Sequence, residues 1–462
     1  MHRKEFLSKL AITGSLFALQ RKNELFAQAE PTSEPTSSLK QNTAKTAIVL
    51  GGGLSGLYSA YLLKQSGYQV TLIERGDRLG GRIFTFQDKN LGIVQDLGGE
   101  WIGEGQADIK TLVKQLGLTL KDSPLSENFH LRNSENPLLN LSKSSLETIE
   151  KVIDLHKSLG ESQRQGLDKI NFASYIRYQG VSEDEARSLS EIYRLLTGAD
   201  LNAISSEDML HDLESPESSL RPKFFVSGGS EQIIQRLLLA MGKEVEILSS
   251  ETAVKVSQTK NAVTVDLLSG RSVRANIMIC TIPAQNVLDI KWLPNLPKDM
   301  TYSALRMQMG RISKNIVLLK RKETTKPFLQ LSETPMQAMY VSSEEAIGEN
   351  VLALTSITQG DRSTLWERSS ESQKKGLARL SLAETKMADS GELSDQSFVF
   401  HSFQKNTGLR GFVSLFPPGS FGIKEVWKEP FERVFFAGEH LGRHSGSMDG
   451  ALSSAIQAVS RI

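Results

Sequence analysis

The clearest pattern in the chain lies just after its polar beginning. Thr46–Leu50 (TAIVL) is a near-continuous apolar run closed by glycines, which predicts a strand buried on both faces. Leu54–Gln65 then carries apolar residues at helical spacing, with Gly67 to close it, and Gln69–Glu74 is a second strand-like run. A strand, tight turn, helix and strand in so short a stretch predict the start of a doubly wound parallel sheet. From about residue 104 to 224 the pattern turns mainly helical. VSEDEARSLSEIYRLLTG is the plainest case: Ser182 and Glu185 have capping-box spacing, and Ala186, Leu189, Ile192, Tyr193 and Leu196 share one face before Gly198. Past Gly228-Gly229, a helix over Glu231–Met241 leads into short alternating runs up to Thr281-Ile282-Pro283, read as strands and hairpins. Residues 290–411 mix strands and helices, and the last thirty or so residues read as strand, glycine turn and helix.

Composition narrows the function. The chain has 462 residues, enough for two or three domains, with 54 basic against 53 acidic side chains. That balance lacks the basic footprint of a nucleic-acid binder. Cys280 is the single cysteine and sits in an apolar run, so no intrachain disulfide forms, and no histidine or cysteine spacing suits a metal. Residues 1–29 have a basic start, an apolar run of about ten residues and Ala27-Gln28-Ala29, the form of a cleavable signal. Arg3-Lys4-Glu5-Phe6-Leu7 resembles a twin-arginine export motif with lysine in the second place, so export to a periplasm is expected. Residues 30–43 read as a Pro/Ser/Thr-rich linker, and no other stretch is suited to span a membrane, so no anchor is expected in the mature chain.

Candidate chemistry starts at Gly51-x-Gly53-x-x-Gly56, set between a predicted strand and a predicted helix. Gly51 permits the tight turn, Gly53 lets a pyrophosphate approach the backbone, and Gly56 lets the helix pack on the sheet. The helix N-terminus at Leu54-Ser55 then offers N–H groups and a positive dipole end to phosphates. Glu74, ending the second strand, is placed to accept hydrogen bonds from ribose hydroxyls and would repel a 2′-phosphate. The loop by itself leaves FAD and NAD open.

Other segments separate the two. Glu74-Arg75-Gly76-Asp77-Arg78-Leu79-Gly80-Gly81-Arg82 resembles the ExxxRxGGR motif of the flavin-containing amine oxidase family, which includes monoamine, polyamine and L-amino-acid oxidases. Asp96-Leu97-Gly98-Gly99-Glu100-Trp101-Ile102-Gly103, Gly228-Gly229, Thr281-Ile282-Pro283, Phe436-Ala437-Gly438-Glu439-His440 and Gly446-Ser447-Met448-Asp449-Gly450-Ala451 are similar to its further segments, in the family's order. The resemblance covers nearly the whole chain after residue 44. It implies an α/β fold: a Rossmann-like FAD-binding domain from residues 44–103, 225–289 and 412–462, with an interleaved α+β substrate domain from 104–224 and 290–411. It also implies that Glu74 holds the adenosine ribose and that Arg82 approaches the pyrophosphate, with Arg75, Gly81, Gly98, Gly99, Glu100 and Trp101 in the cofactor-binding set, the last two as candidates for shaping or polarising the pocket. Val254 would meet the adenine through its backbone, Gly438 and Glu439 the ribityl–pyrophosphate part, and Met448 the pyrimidine edge, where the following helix N-terminus would stabilise reduced flavin.

Further positions follow from the same resemblance. Lys314, in MGRISKNIVLL, takes the place of the lysine that holds a water near flavin N5 and would assist reoxidation. Gly411 stands where covalent members carry a flavin-linking cysteine, so FAD is expected to be bound non-covalently. Phe412 stands at one wall of the family's aromatic cage and Ser447 at the other; with His444 and Trp101 they are expected to shape a substrate pocket more polar than a two-ring cage. The implied reaction is hydride loss from an amine to the flavin, reoxidation by O2 to H2O2, and hydrolysis of the imine; no general base is required. A carbon–carbon desaturase of the related carotenoid and porphyrin type, or a flavoprotein without turnover, are the alternatives. The sequence identifies neither the amine nor the oligomeric state, and a homodimer stays open.

Overall fold

In a computed structural model the described residues are 45–129, 141–215, 218, 220, 222–322, 324–387, 393–401 and 408–462. The expected export signal and linker therefore lie outside the described residues.

Five parallel strands form the central sheet: β1 (Thr46–Leu50), β2 (Gln69–Ile73), β3 (Val245–Leu248), β4 (Ile277–Cys280) and β5 (Val434–Phe436). Their order is β5-β4-β1-β2-β3, so stretches far apart in sequence meet in one sheet. The apolar run of β1 has a simple cause, since both of its faces are covered. Ala47 and Val49 pack toward α1 (Leu54–Gln65), α2 (Glu231–Met241) and α3 (Met448–Ser460), in a cluster with Leu57, Leu63, Leu237 and Leu452. Ile48 and Leu50 point the other way, onto Val256, Val263 and Val265 of an antiparallel sheet and onto Trp292 and Trp427. That second sheet runs Ser272–Ala275, Ala262–Leu267, Ala253–Thr259, Lys291–Leu293, the last strand parallel to its neighbour.

A second body joins helices to a five-stranded antiparallel sheet in the order Phe328–Leu331, Ala338–Val341, Val351–Gln359, Ile312–Lys320, Phe398–Phe400. The helix over Glu183–Thr197 is capped as its sequence predicts: Glu185 N–H donates to Ser182 Oγ, Ser182 N–H donates to Glu185 Oε2, and Gly198 closes it at φ +73°. Ala186, Leu189, Ile192 and Tyr193 are buried in one cluster with Leu196 half-buried against it, and Leu195 is buried in a separate cluster with Tyr340 and Ile357, so the helix is covered on more than one side. The region read as mainly helical also contains strands Leu120–Asp122 and Pro222–Val226, which pair with each other and with Trp101–Gly103. Their shortness hid them in a helix-rich stretch. Among the described residues no helix is long and apolar enough to cross a membrane.

Candidate functional site

The glycine loop is built by steric exclusion. Gly51 leaves β1 at φ +110°, a conformation that disfavours any side chain, and its N–H donates to Ile73 O at 2.8 Å. A Cβ on Gly56 would lie 1.8 Å from Gly51 O, so only glycine lets α1 start this close to β1. Gly53 is the N-cap of α1, with no side-chain cap bond and no acidic residue in the first turn. The positive end of the helix and its unpaired N–H groups are thereby kept for an anion.

A cavity of about 300 Å³ opens in front of this loop. Gly51, Gly53, Leu54 and Ser55 line it, with Glu74, Arg75 and Val254 and, from the next segment, Gly81, Arg82 and Gly99. The C-terminal portion contributes Phe412, Gly438, Glu439, Ser447 and Met448. Glu74 is fixed by Gly52 N–H at 2.6 Å on Oε2 and by Gly76 N–H at 2.7 Å on Oε1, and each oxygen keeps accepting capacity for a ligand hydroxyl. Arg82 Nη1 donates to Glu439 Oε1 at 2.7 Å and to Phe412 O at 2.9 Å, tying the first segment to the last. Glu439 also accepts from Ser414 Oγ at 2.5 Å and Gly446 N–H at 2.6 Å. Burial is the largest single influence and would raise the Glu439 carboxyl, but the Arg82 charge, His440 and the hydrogen bonds from Ser414 and Arg82 together outweigh it and hold the group below its ordinary value. Next to it, burial pushes the His440 imidazole down to about 4, so it is neutral at pH 7.

The donor set fits a dinucleotide. Ser55 Oγ is buried at the head of α1 with no partner, which is the orphan that a phosphate oxygen would satisfy. Asn286 Oδ1, on the same cavity, is a second unpartnered buried atom, an acceptor that a ligand hydroxyl or amine would satisfy. A carboxylate with free accepting capacity, an uncapped helix head and an orphaned hydroxyl together match the ribose and pyrophosphate of FAD.

Several sequence-selected residues lie elsewhere. Gly56 and Gly98 stand behind the wall as close-packing positions; a Cβ on Gly98 would meet Arg82 O at 2.2 Å. Lys314 and Glu100 are buried behind Gly98-Gly99, with the half-buried Trp101 ring beside the ammonium, rather than on the cavity itself. His444, expected in the substrate pocket, is turned away: its Nδ1 is 3.2 Å from Asp212 Oδ1 and its Nε2 is 2.9 Å from Ser215 Oγ. These partners on the helical side hold the ring off the cofactor cavity.

Sequence reasoning missed other participants. Thr281 Oγ1 donates to Leu50 O at 3.0 Å and Gly51 O at 3.2 Å, bracing the glycine turn from β4. Arg78 donates to the carbonyls of Leu79, Gly81 and Ile83 and so shapes the loop before Arg82. Both lie in stretches singled out for their neighbours, TIP and DRLGGR, and a basic side chain amid glycines was the available signal for Arg78. Tyr340 and Gln95, which bind Glu100, carry no signature in sequence.

Comparison with known proteins gives this geometry its class. A sequence model of the flavin-containing amine oxidoreductase family matches residues 54–462. The chain is 25% identical over 457 residues to flavin-containing amine oxidase B of Homo sapiens, covering 90% of this chain and 85% of that protein. It is 23% identical over 463 residues to an L-amino-acid oxidase of Siganus canaliculatus, covering 91% and 86%. Among solved structures, putrescine oxidase bound to putrescine superposes with a TM-score of 0.71 at 18% identity, covering 90% of this chain and 98% of that one. Cyclohexylamine oxidase from Brevibacterium oxydans IH-35A superposes with a TM-score of 0.68 at 21% identity, with the same coverage. The chain belongs to the flavin-containing amine oxidoreductase family. It is an FAD-dependent oxidoreductase that oxidises amines, and the carbon–carbon alternative is not favoured.

Proposed function

We propose that this protein binds FAD non-covalently and oxidises a polar amine, with O2 as the electron acceptor. The observation that carries the reading is the match between the cavity's donors and the two ends of the cofactor. The head of α1 and Ser55 would hold the pyrophosphate, Glu74 the ribose hydroxyls, Val254 the adenine side, and Arg82 with Glu439 the middle of the cofactor. The head of α3, capped by Ser447 and opened by Met448, would direct its positive end at the flavin's pyrimidine edge. Bound there, FAD supplies the hydride-accepting chemistry for the carbon next to the amine nitrogen, and O2 then takes the electrons.

Non-covalent binding rests on the only cysteine. Cys280 lies in β4, faces the core cluster rather than the cavity, and burial pushes its thiol up to about 12. Polar specificity rests on Phe412 and Ser447, which line the cavity as one ring and one hydroxyl. Lys314 would serve reoxidation as a fixed cation behind the Gly98-Gly99 turn. Export by way of residues 1–29 belongs to the same proposal. The test is peroxide release from the purified protein with amines graded by polarity: polar amines should release H2O2 faster than aryl- or alkylamines of equal length. The reverse order would refute the polar-substrate reading.

A further inference from the structure

Lys314 is the third residue of the strand Ile312–Lys320, pairing with Ile357 across the sheet. Its side chain is 5% exposed, and that of Glu100 is 3% exposed. The ammonium donates to Glu100 Oε2 at 2.9 Å and to Gly98 O at 3.3 Å. The carboxylate is itself gripped from two more sides. Tyr340 OH donates to Oε2 at 2.7 Å, and Gln95 Nε2 donates to Oε1 at 3.1 Å. Ser342 Oγ holds Gln95 in turn, at 2.7 Å. The rings of Trp101 and Tyr340 stand 4.8 and 5.8 Å from the ammonium. Gly99, adjoining the Gly98 carbonyl, lines the cofactor cavity.

A lone ammonium would be costly in so dry a place, and a long lysine chain has many rotamers to lose. Glu100 removes both problems, because it offsets the charge and gives the ammonium a fixed partner on the side of Gly98. The carboxylate is fixed by donors on other strands, so its placement does not depend on the lysine.

The geometry points to Glu100 as the positioning residue of Lys314: anchored by Tyr340 and Gln95, it holds the ammonium against the Gly98-Gly99 turn and so sets the rate at which O2 reoxidises the reduced cofactor. This rests on the reading of Lys314 as the reoxidation cation. The step it controls is balanced: FADH⁻, O2 and one solvent proton become FAD and H2O2, with two electrons moving to oxygen.

The test needs no amine. Holoenzyme is reduced by light or by stoichiometric dithionite and mixed with O2 in a stopped-flow cell, and the return of the oxidised flavin band is timed. Lys314→Met and Glu100→Gln should each slow that return by roughly tenfold to a hundredfold. The double variant should be no slower than the slower single, since both changes remove one unit. The resting flavin band of Glu100→Gln should shift toward that of Lys314→Met, which a merely structural role would not produce. Reoxidation of Glu100→Gln at the wild-type rate or faster overturns the proposal, as does a double variant whose losses multiply. If Glu100→Gln does not retain FAD, Tyr340→Phe, which keeps both charges, decides: slower reoxidation supports the anchor, and an unchanged rate overturns it. A Lys314→Met enzyme as fast as wild type overturns it at its base, yet leaves amine oxidation untouched, because no amine enters the assay.

Discussion

Replacing Arg82 by methionine isolates the contact that ties the first cofactor segment to the last. The wild-type pair is largely buried, with side chains 22% and 6% exposed for Arg82 and Glu439. In Arg82→Met, Glu439 keeps Ser414 and Gly446 as donors but loses the one full positive charge that pairs with it among the described residues, since burial keeps His440 neutral at pH 7. Breaking a buried pair costs about 3–5 kcal/mol, and the partial exposure of the arginine lowers the expectation to about 2–4 kcal/mol. With an unfolding entropy of roughly 0.9 kcal/mol/K for a chain of this length, the thermal midpoint of the apoprotein should fall by about 2–4 °C at pH 7. The sign with pH is also set. In the wild type the lowered Glu439 carboxyl adds stability above the ordinary carboxylate range, and that stability is lost as pH falls through the lowered folded value. In the variant, burial, the largest influence on the group, no longer meets the Arg82 charge and raises it against the remaining donors, so protonation relieves the variant as pH falls, and the gap to wild type should narrow from pH 7 to pH 4. Arg82→Met/Glu439→Gln should recover most of the loss at pH 7. Differential scanning calorimetry of the three apoproteins is the assay. A loss below about 0.5 kcal/mol at pH 7, or a gap that stays constant with pH, would refute the reasoning.

Further outcomes follow from other contacts. Gly56→Ala puts a methyl 1.8 Å from Gly51 O, so the purified variant should be colourless or fail to fold, as absorbance near the flavin band would show. Glu74→Gln presents an amide N–H₂ to one of two N–H donors, and fluorescence titration should find FAD bound about tenfold to a hundredfold more weakly. Burial opposes charge on His156, but Glu207 and Glu214 at 2.7 and 2.9 Å outweigh it and raise the imidazole above its ordinary value. Its stabilising effect is full below the unfolded histidine pKa and is lost as pH rises through the folded value, so melting across pH 6–9 should show a decline that His156→Gln lacks. Acid precipitation of the holoprotein should leave the yellow colour in the supernatant; colour in the pellet would refute non-covalent binding.

Much of the cofactor site was legible because its demands are local. A tight turn beside a strand admits only glycine at Gly51 and Gly56, and an acid at the end of the next strand, Glu74, sits at a nearly constant distance along the chain. Arg82 and Glu439 were legible one at a time, each inside its own motif, though their mutual bond spans 357 positions. The same limit hid the partners of Lys314. An ammonium in an apolar strand announces that it needs a partner, but nothing in the spacing names Glu100 or Tyr340, which arrive from other strands. His444 shows a different limit: Gly446 and Ser447 beside it line the cavity, whereas its own ring is held by Asp212 and Ser215, 232 and 229 positions away, which no local spacing announces. Short strands such as Leu120–Asp122 owe their existence to pairing across the fold, and three residues carry too little periodicity to reveal it.

The cavity beneath Gly51–Gly56 should hold a flavin that an amine reduces. Anaerobic mixing of the purified protein with a panel of amines, polyamines and L-amino acids, followed at the oxidised flavin band, tests it most directly. The expected result is a visible flavin spectrum that one polar amine class bleaches and that air restores. A bound flavin that no amine bleaches, or a protein that holds no flavin at all, would contradict it.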